Sequence, residues 1–261
     1  MENFKNKIKL NKNSWNKRTP IHFNSKFYDV EKFIKGGSSL KKFEIDALGN
    51  LNSKSVLHLQ CHFGQDSLSL ARLGAEVTGV DFSQIAIEKA KSLSKTINTP
   101  ASFVLSDVMT LELGKEFDIV FTSYGTIGWL PDLDAWAKTI YKHLKKGGLF
   151  VFVEFHPFID LLHENRYDYF FKPIPDQEIE HGTYTDGGED LVHENCWWNH
   201  SLTEIFGALE NNGLILKYFE EHNYNPYPLK GYTEIAPGRY VLSNRKEQSL
   251  PYTFTLKAVK K

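Results

Sequence analysis

Three residues that could hold a nucleoside follow short apolar runs of the chain: Gly64, Asp81 and Asp107. An aspartate after a strand can accept hydrogen bonds from ribose hydroxyls or face an adenine amine. A glycine lets the backbone N–H groups at a helix start approach an anion. Each such residue alone is more often a turn former or a helix cap. Their ordered recurrence after successive runs favours a binding site.

The elements that would position these residues alternate between strand and helix from residue 55 to residue 155. Apolar runs predict strands over 56–60, 76–80, 102–105, 117–123 and 149–155, and again over 214–220 and 253–259. Amphipathic segments predict helices over 65–73, 83–97, 131–144 and 202–211. Strands that are apolar on both faces are typical of a parallel sheet covered by helices. The fold class is therefore a doubly wound, Rossmann-like α/β sheet, whose ligands bind beyond the carboxyl ends of the strands.

Composition argues against several function classes. With 31 basic and 32 acidic side chains the net charge is -1, so we expect no binding to nucleic acid or to a membrane surface. No run approaches the roughly 18 apolar residues of a membrane span, and the lysine-rich start lacks the apolar segment of a secretion signal. Cys61 and Cys196 have no CxxC spacing and no visible metal partners, so we expect a cytoplasmic protein without a metal.

The ordered set of motifs resembles the class I S-adenosylmethionine-dependent methyltransferases. The motifs are VLHLQCHFG, the acid in VTGVDFS, the pair Ser106-Asp107, FDIVFTSYG and LKKGGLFVFVEF. The resemblance covers about residues 54–155, and in outline the helix and strands after residue 200. It implies a seven-stranded mixed sheet with an antiparallel last strand and methyl transfer from S-adenosylmethionine, which becomes S-adenosylhomocysteine. The run LHLQCHFGQD also looks like a subgroup of largely uncharacterised bacterial methyltransferases.

On this resemblance the chain divides into four parts. We expect an N-terminal helical lid over 1–53, a cofactor-binding core over 54–156, an inserted cap over 157–200, and completion of the sheet over 201–261 with a loop insertion at 222–251. Aromatic residues make up 14% of the chain and crowd into its second half, so they either fill a core or line a pocket. The N-terminal segment is a lid over the cofactor or a brace against the sheet.

The first loop departs from the family's pattern of an acid two residues into the strand and three spaced glycines. His58 stands where the acid is usual, Gln60 and His62 stand at glycine positions, and only the last glycine, Gly64, is kept. Asp66 is either a replacement acid for the cofactor ammonium or a favourable charge at a helix N-terminus. The cofactor-binding residues that the resemblance implies are Gln60, Cys61, His62, Gly64, Asp66, Asp81, Phe82, Asp107, Val108 and Ser123.

The acceptor side is expected beyond the fourth and fifth strands. Candidate bases are Tyr124, His156 and His200, although a histidine at a strand exit is also a usual turn or cap residue. The candidate pocket residues are Trp15, Tyr28, Trp129 and Glu154. Helix-packing aromatics are the alternative for the tryptophans, and the segment with Trp197 and Trp198 is an aromatic lid, a satellite core or a dimer face.

These residues favour a small-molecule acceptor with an O or N atom as the methyl target, in a monomer or homodimer. A non-catalytic nucleoside-binding module is the alternative that the atypical loop permits. An RNA methyltransferase would need a continuous basic face around the cleft. A nicotinamide enzyme would need GxGxxG, which HFGQDS lacks. A polar-Pro-Pro-aromatic motif of adenine-specific DNA methyltransferases does not follow the fourth strand.

Overall fold

The computed structural model describes residues 4–162 and 168–261. Its helices are α1 Lys5–Asn24, α2 Val30–Ile34, α3 Lys42–Leu48, α4 Gln65–Arg72, α5 Gln84–Thr96, α6 Leu133–His143, α7 Pro157–Asp160 and α8 Leu202–Asn211. Its strands are β1 Ser55–Leu59, β2 Glu76–Asp81, β3 Ser102–Leu105, β4 Phe117–Ser123, β5 Leu144–Phe155, β6 Asp176–His181, β7 Val192–Trp197, β8 Leu214–His222, β9 Tyr232–Ala236, β10 Arg239–Leu242 and β11 Thr253–Lys260.

The main sheet of the described residues has seven strands in the order β3-β2-β1-β4-β5-β11-β8. β1 pairs in parallel with both β2 and β4, so the strand order reverses there and opens a crevice at the carboxyl edge. β11 runs antiparallel to β5 and to β8. The expected doubly wound, mixed sheet with an antiparallel last strand is therefore confirmed.

Apolar side chains on both faces of the central strands hold the helices against the sheet. Leu57 and Phe150 pack on one face with Trp136 of α6, and Val56 and Val151 pack on the other face below α3. Because neighbouring residues of a strand point to opposite faces, a continuous apolar run fills both layers. Burial of each large side chain contributes about 1.5–3 kcal/mol, so the core fixes the sheet edge that carries the site.

Several predicted boundaries differ from the structure by one or two residues, and two larger differences have a local cause. α6 begins at Leu133 and not at Pro131, because the Asp132 side chain caps it by accepting from the Ala135 N–H at 2.9 Å. β5 begins at Leu144 and includes the KKGG turn, which pairs irregularly with β4. The glycines there allow a strand bend that the apolar pattern does not show.

The segments outside the sheet contain more regular structure than their sequence indicates. The 157–200 segment holds the β6–β7 hairpin, and the 222–251 segment holds the β9–β10 hairpin. DQEIEH of β6 alternates half-buried and exposed residues, YTEIA of β9 is mostly exposed, and neither strand contains a fully buried residue. A strand without a buried face has no apolar alternation, so neither hairpin was predicted.

The helix α1 lies against β7 and α5 and joins the N-terminal part to the cap hairpin. Its buried side is polar and includes Asn11, Ser14 and Arg18. The Asn11 side chain donates to the Cys196 carbonyl at 2.8 Å and accepts from the Cys196 N–H at 2.7 Å. Asn16 accepts from the Ser83 hydroxyl at 2.8 Å, which ties α1 to the start of α5. Of the helices that the structure describes, none is both long and apolar enough to cross a membrane.

Candidate functional site

A cavity of about 900 Å³ opens at the carboxyl edge of the sheet. Ligand pockets of proteins occupy roughly 300–1,000 Å³, so this cavity has room for a nucleoside-sized molecule and a second small one. The loops after β1, β2, β3 and β4 form its floor. Its roof is formed by one side of α1, with Ile8, Trp15 and Arg18, by residues 26–41, by the β6–β7 hairpin and by residues 226–229.

The loop after β1 keeps a glycine-like backbone at positions where the sequence has larger residues. Gln60 has φ 53°, His62 has φ 51° and Gly64 has φ 80°. The left-handed conformation costs a residue with a Cβ roughly 1–2 kcal/mol. At Gly64 no Cβ fits, because it would lie 2.7 Å from the Phe103 ring and 3.0 Å from the Ala90 Cβ. The loop after β1 therefore keeps the backbone shape of a glycine-containing loop, although two of the glycines are replaced by larger residues.

Side-chain contacts hold this variant loop in place. The Gln60 amide donates to the Thr126 carbonyl at 2.8 Å, and the Cys61 N–H donates to the Val80 carbonyl at 2.9 Å. The Gln60 Oε1 atom is buried without a hydrogen-bond partner among the described residues. A buried acceptor without a donor is unfavourable by about 1–3 kcal/mol, so this oxygen is available to a ligand donor.

The two aspartates at the ends of β2 and β3 both line the cavity. Asp81 accepts from the Ser83 N–H at 2.8 Å and from the His62 N–H at 2.9 Å, one bond on each carboxylate oxygen. Because each oxygen has two lone pairs, both remain able to accept a hydroxyl. Burial raises the pKa of Asp81 to about 6 and also raises the pKa of Asp107. Phe82 and Val108 line the same end of the cavity.

His58 stands where the family has an acid, and Asp66 is the nearby acid that could replace it. His58 is buried, its Nδ1 lies 2.8 Å from the Ser67 hydroxyl, and burial lowers its pKa to about 4. A neutral imidazole supplies no negative charge. Asp66 lines the cavity from the first turn of α4 and accepts from the Ser123 hydroxyl at 3.3 Å. The negative charge at this end of the cavity therefore comes from Asp66.

Tyr124 joins the cavity to a carboxyl group that the sequence does not reveal. Its ring lines the cavity, and its hydroxyl donates to Glu44 Oε2 at 2.8 Å. Glu44 lies in α3, fully buried, and its other oxygen accepts from the Lys41 N–H at 3.1 Å. Burial, and then the charge of Asp66, raise the pKa of Glu44 to about 7. In the sequence Glu44 shows only the spacing of a helix-capping residue, 80 positions from Tyr124.

The roof is rich in aromatic rings and includes the expected pocket residues Trp15 and Tyr28, which face the expected Trp129 of the loop after β4. The Trp15 ring packs edge-on against Trp129 at 5.3 Å and against His62 at 5.2 Å between ring centroids. The Tyr28 hydroxyl lies 2.5 Å from the Tyr184 hydroxyl of the β6–β7 hairpin. Burial, and then Arg18, lower the pKa of His62 to about 3, so its ring is neutral.

Glu154, His156 and His200 do not line this cavity, and hydrogen bonds explain their positions. Glu154 accepts from the N–H groups of residues 125–127 and so shapes the loop after β4. His156 caps α7 by accepting from the Phe158 N–H at 3.1 Å, and its Nε2 lies 2.9 Å from Glu221 Oε1. His200 is buried, with Nε2 2.8 Å from the Leu130 carbonyl. His156 is the N-cap of α7, as the cap interpretation expects, whereas Ser201 and not His200 caps α8. Neither histidine is placed to act as a base in the cavity.

No cluster of three or more His, Cys, Asp or Glu side chains able to hold a metal occurs within residues 4–162 and 168–261. The two cysteines are both buried and unpaired. Cys61 lines the cavity, where burial raises the pKa of its thiol. A thiol with a raised pKa is a poor nucleophile.

Residues 56–148 match a family model described as a methyltransferase domain. An uncharacterized methyltransferase of Synechocystis is 32% identical over 126 residues, which are 47% of this chain and 57% of that protein. A ubiquinone biosynthesis O-methyltransferase of Pseudomonas fluorescens is 28% identical over 106 residues, which are 40% of this chain and 45% of that protein. The chain thus spans about half the length of these curated relatives.

Solved structures share the whole architecture at low identity. An S-adenosylmethionine-dependent methyltransferase from Clostridium acetobutylicum superposes with a TM-score of 0.58 at 15% identity, covering 96% of this chain and 98% of that one. The S-adenosylhomocysteine complex of DhpI superposes with a TM-score of 0.59 at 14% identity, covering 97% of both chains. The fold is that of the class I methyltransferases, and residues 56–148 carry the sequence similarity to a methyltransferase domain.

Proposed function

We propose that this protein transfers a methyl group from S-adenosylmethionine to an O or N atom of a small molecule. The observation that carries the proposal is the order of groups along one cavity: Asp107, Asp81, the loop after β1, Asp66 and then Tyr124. The match of residues 56–148 to a methyltransferase domain and the S-adenosylhomocysteine complex among the structural neighbours support it.

The residues present fit the cofactor. Asp81 would accept from the ribose hydroxyls, and Asp107 would face the adenine beside Phe82 and Val108. The Phe63 N–H would hold the methionine carboxylate. The neighbouring N–H groups of Cys61, His62 and Gly64 already donate within the protein, to the Val80 carbonyl, to Asp81 and to the Cys61 carbonyl. Asp66, oriented by Ser123, would hold the ammonium, and the orphaned Gln60 oxygen lies in the same loop. When bound, S-adenosylmethionine supplies an electrophilic methyl group, so the protein needs mainly to align the acceptor and exclude water.

The roof supports a small acceptor. The aromatic rings of Trp15, Tyr28 and Tyr184, with Trp129 of the loop after β4, line the cavity and would exclude water around a bound acceptor. We propose that residues 1–53 and the cap over 157–200 act as a lid above the cofactor, because α1 and the β6–β7 hairpin are joined across the cavity. The oxygen acceptor that the name of the Pseudomonas relative implies for that enzyme is compatible with an oxygen target here.

The proposal extends to the finer expectations about the protein. We take the LHLQCHFGQD run to mark a subgroup of class I methyltransferases with a variant first loop, since Gln60 and His62 keep the glycine-like backbone. Two buried, unpaired cysteines favour a cytoplasmic protein. The near-neutral charge favours a small-molecule acceptor over nucleic acid, in a monomer or homodimer.

Calorimetric titration with S-adenosylhomocysteine tests this function. We expect a Kd on the order of micromolar for the wild type, as for many enzyme ligands, and loss of binding in Asp81→Ala. Asp134→Asn is the matched control, because Asp134 is exposed on α6 and away from the cavity. Absence of binding in the wild type would refute the proposal. Binding without turnover across a broad acceptor panel would favour a non-catalytic nucleoside-binding module.

A further inference from the structure

We infer that Tyr124 and Glu44 form a proton relay, in which Tyr124 takes the proton of the methyl acceptor and passes its own proton to Glu44. The inference rests on the proposed function and deepens it. It assigns the acceptor to the compounds whose attacking atom carries a proton at neutral pH, namely hydroxyl compounds or amines. A carboxylate acceptor is already deprotonated and would need no such relay.

The position of Tyr124 is the first step of the argument. Tyr124 directly follows β4, beside Ser123 and its partner Asp66, and its ring lines the cavity. Its backbone has φ 34°, a left-handed conformation that a bulky residue adopts only when the surroundings impose it. Glu154 fixes the conformation of this loop by accepting a hydrogen bond from the Thr126 N–H at 2.8 Å. The strained backbone thus holds the Tyr124 ring at the cavity wall.

When Glu44 is ionised, the Tyr124 hydroxyl is the donor of the hydrogen bond between them. The phenol proton then points at Glu44 Oε2, 2.8 Å from the phenol oxygen. The oxygen lone pairs of Tyr124 then remain to accept a proton. Burial raises the pKa of Tyr124 well above its ordinary value, so Tyr124 stays neutral at rest and acts only by passing a proton on.

Glu44 is suited to receive that proton. It is fully buried at the N-terminal turn of α3 and accepts a hydrogen bond from Tyr124, which lines the cavity. The charged or titratable groups around it are Asp66 of α4, Tyr124 and Tyr227, with the Lys41 ammonium 4.8 Å from the Tyr227 ring. Asp66 favours protonation of Glu44, and the hydrogen bonds from Lys41 and Tyr124 favour its ionised form. These opposed influences leave Glu44 able to exchange a proton near neutral pH.

The proton balance of the step is complete. The acceptor lone pair forms the new bond to the methyl carbon, and the cofactor sulfur keeps the electron pair of the broken bond. The acceptor proton moves to Tyr124 Oη as the phenol proton moves to Glu44 Oε2. Tyr124 is neutral before and after, and Glu44 ends as a carboxylic acid that releases its proton to water when the product leaves.

Infrared titration of Glu44 tests the relay without an acceptor. The carbonyl band of protonated Glu44, identified by its loss in Glu44→Gln, is expected to appear as the pH falls through about 7. Glu44→Gln keeps an oxygen that can accept from the Lys41 N–H, so α3 remains capped. Tyr124→Phe removes a donor that stabilises the carboxylate, and the midpoint should move to higher pH. Tyr184→Phe is the matched control and should leave the midpoint unchanged, because Tyr184 bonds to Tyr28 instead.

Two results of the titration would overturn the relay. One is a Glu44 carboxyl that stays ionised or stays protonated from about pH 5 to about pH 9. The other is a midpoint that does not move in Tyr124→Phe. Since the titration is done on ligand-free protein, it stands apart from the binding of S-adenosylhomocysteine that tests the proposed function.

A second measurement separates the relay from cofactor binding. Both Tyr124→Phe and Glu44→Gln should bind S-adenosylhomocysteine within about twofold of the wild type, and their methyl transfer to a phenol, an alcohol or an amine should fall by about 100-fold. A tenfold or larger loss of cofactor affinity in Glu44→Gln would make Glu44 a cofactor ligand and overturn the relay. Transfer to a carboxylic acid alone would overturn it as well.

Discussion

The floor and the roof of the cavity are built by different interactions. The floor stands on apolar packing, with Leu57, Phe150 and Trp136 fully buried beneath it. The roof combines aromatic contacts with hydrogen bonds between polar side chains, as where His22 Nε2 lies 2.6 Å from the Thr183 hydroxyl. Apolar cores resist deformation, whereas polar contacts at a partly exposed face open at lower free energy. The comparison indicates a rigid floor for the cofactor and a roof that can admit it.

Core truncation should have the largest effect. Trp136→Ala removes a fully buried indole from between α6 and β5, and we expect it to lower the free energy of unfolding by about 3–5 kcal/mol. Urea denaturation measures this loss. Lys138→Ala, on the exposed side of α6, is the control and should change stability by less than about 0.5 kcal/mol. A small loss of unfolding free energy in Trp136→Ala would show that packing around Trp136 does not stabilise the floor.

Removing one pair of hydrogen bonds from the roof should have a smaller and more local effect on stability. Asn11→Ala removes both hydrogen bonds to the Cys196 backbone, and we expect a loss of about 1–3 kcal/mol. Hydrogen exchange should become faster in α1 and β7 and stay unchanged in β1 and β4. Asn24→Ala serves as the control, since Asn24 is exposed at the end of α1. Faster exchange in the central strands would contradict a separate roof.

The variant loop allows a finer test within the floor. Gln60→Gly relieves a left-handed backbone and loses one hydrogen bond, so we expect stability to change by less than about 1 kcal/mol. Affinity for S-adenosylhomocysteine should nevertheless fall, because the orphaned Gln60 oxygen is removed. Asn98→Gly is matched to it, with φ 49° in a loop outside the cavity, and should leave affinity unchanged. If both variants bind S-adenosylhomocysteine with equal affinity, the Gln60 side chain has no role in binding.

Cofactor affinity should depend on pH through Asp81. Its folded-state pKa lies near 6 and above its ordinary value, so the protonated form grows as the pH falls through about 6. Only the ionised carboxylate offers both oxygens as acceptors to the ribose. Affinity for S-adenosylhomocysteine should therefore weaken from about pH 7 to about pH 5, and calorimetry at several pH values measures this. An affinity that strengthens over the same range would contradict the ribose assignment.

The floor could be predicted from the sequence, and the roof largely could not. Residues 117–123 form the predicted strand because a buried parallel strand needs a nearly unbroken apolar run. α1 presents a polar buried side, and β6 has no buried face, so neither shows a hydrophobic period. Whether a polar residue faces the cavity depends on partners far along the chain.

The same contrast applies to individual site residues. Asp81 and Gly64 were predictable because their position after a strand defines their surroundings. Glu44 was not, because its partner Tyr124 comes from another element. His156 and His200 were predicted as bases from their residue type, one at the end of a strand and one at a segment boundary. In the folded chain, side-chain hydrogen bonds hold both histidines away from the cavity.

A crystal structure with S-adenosylhomocysteine bound would test the central claim most directly. The account predicts the ribose hydroxyls on Asp81, and the amino group of the ligand within hydrogen-bond distance of Asp66, about 2.7–3.2 Å. It also predicts that Gln60 and His62 keep their left-handed backbone in the complex. A nucleoside bound elsewhere, or an amino group directed away from Asp66, would contradict it.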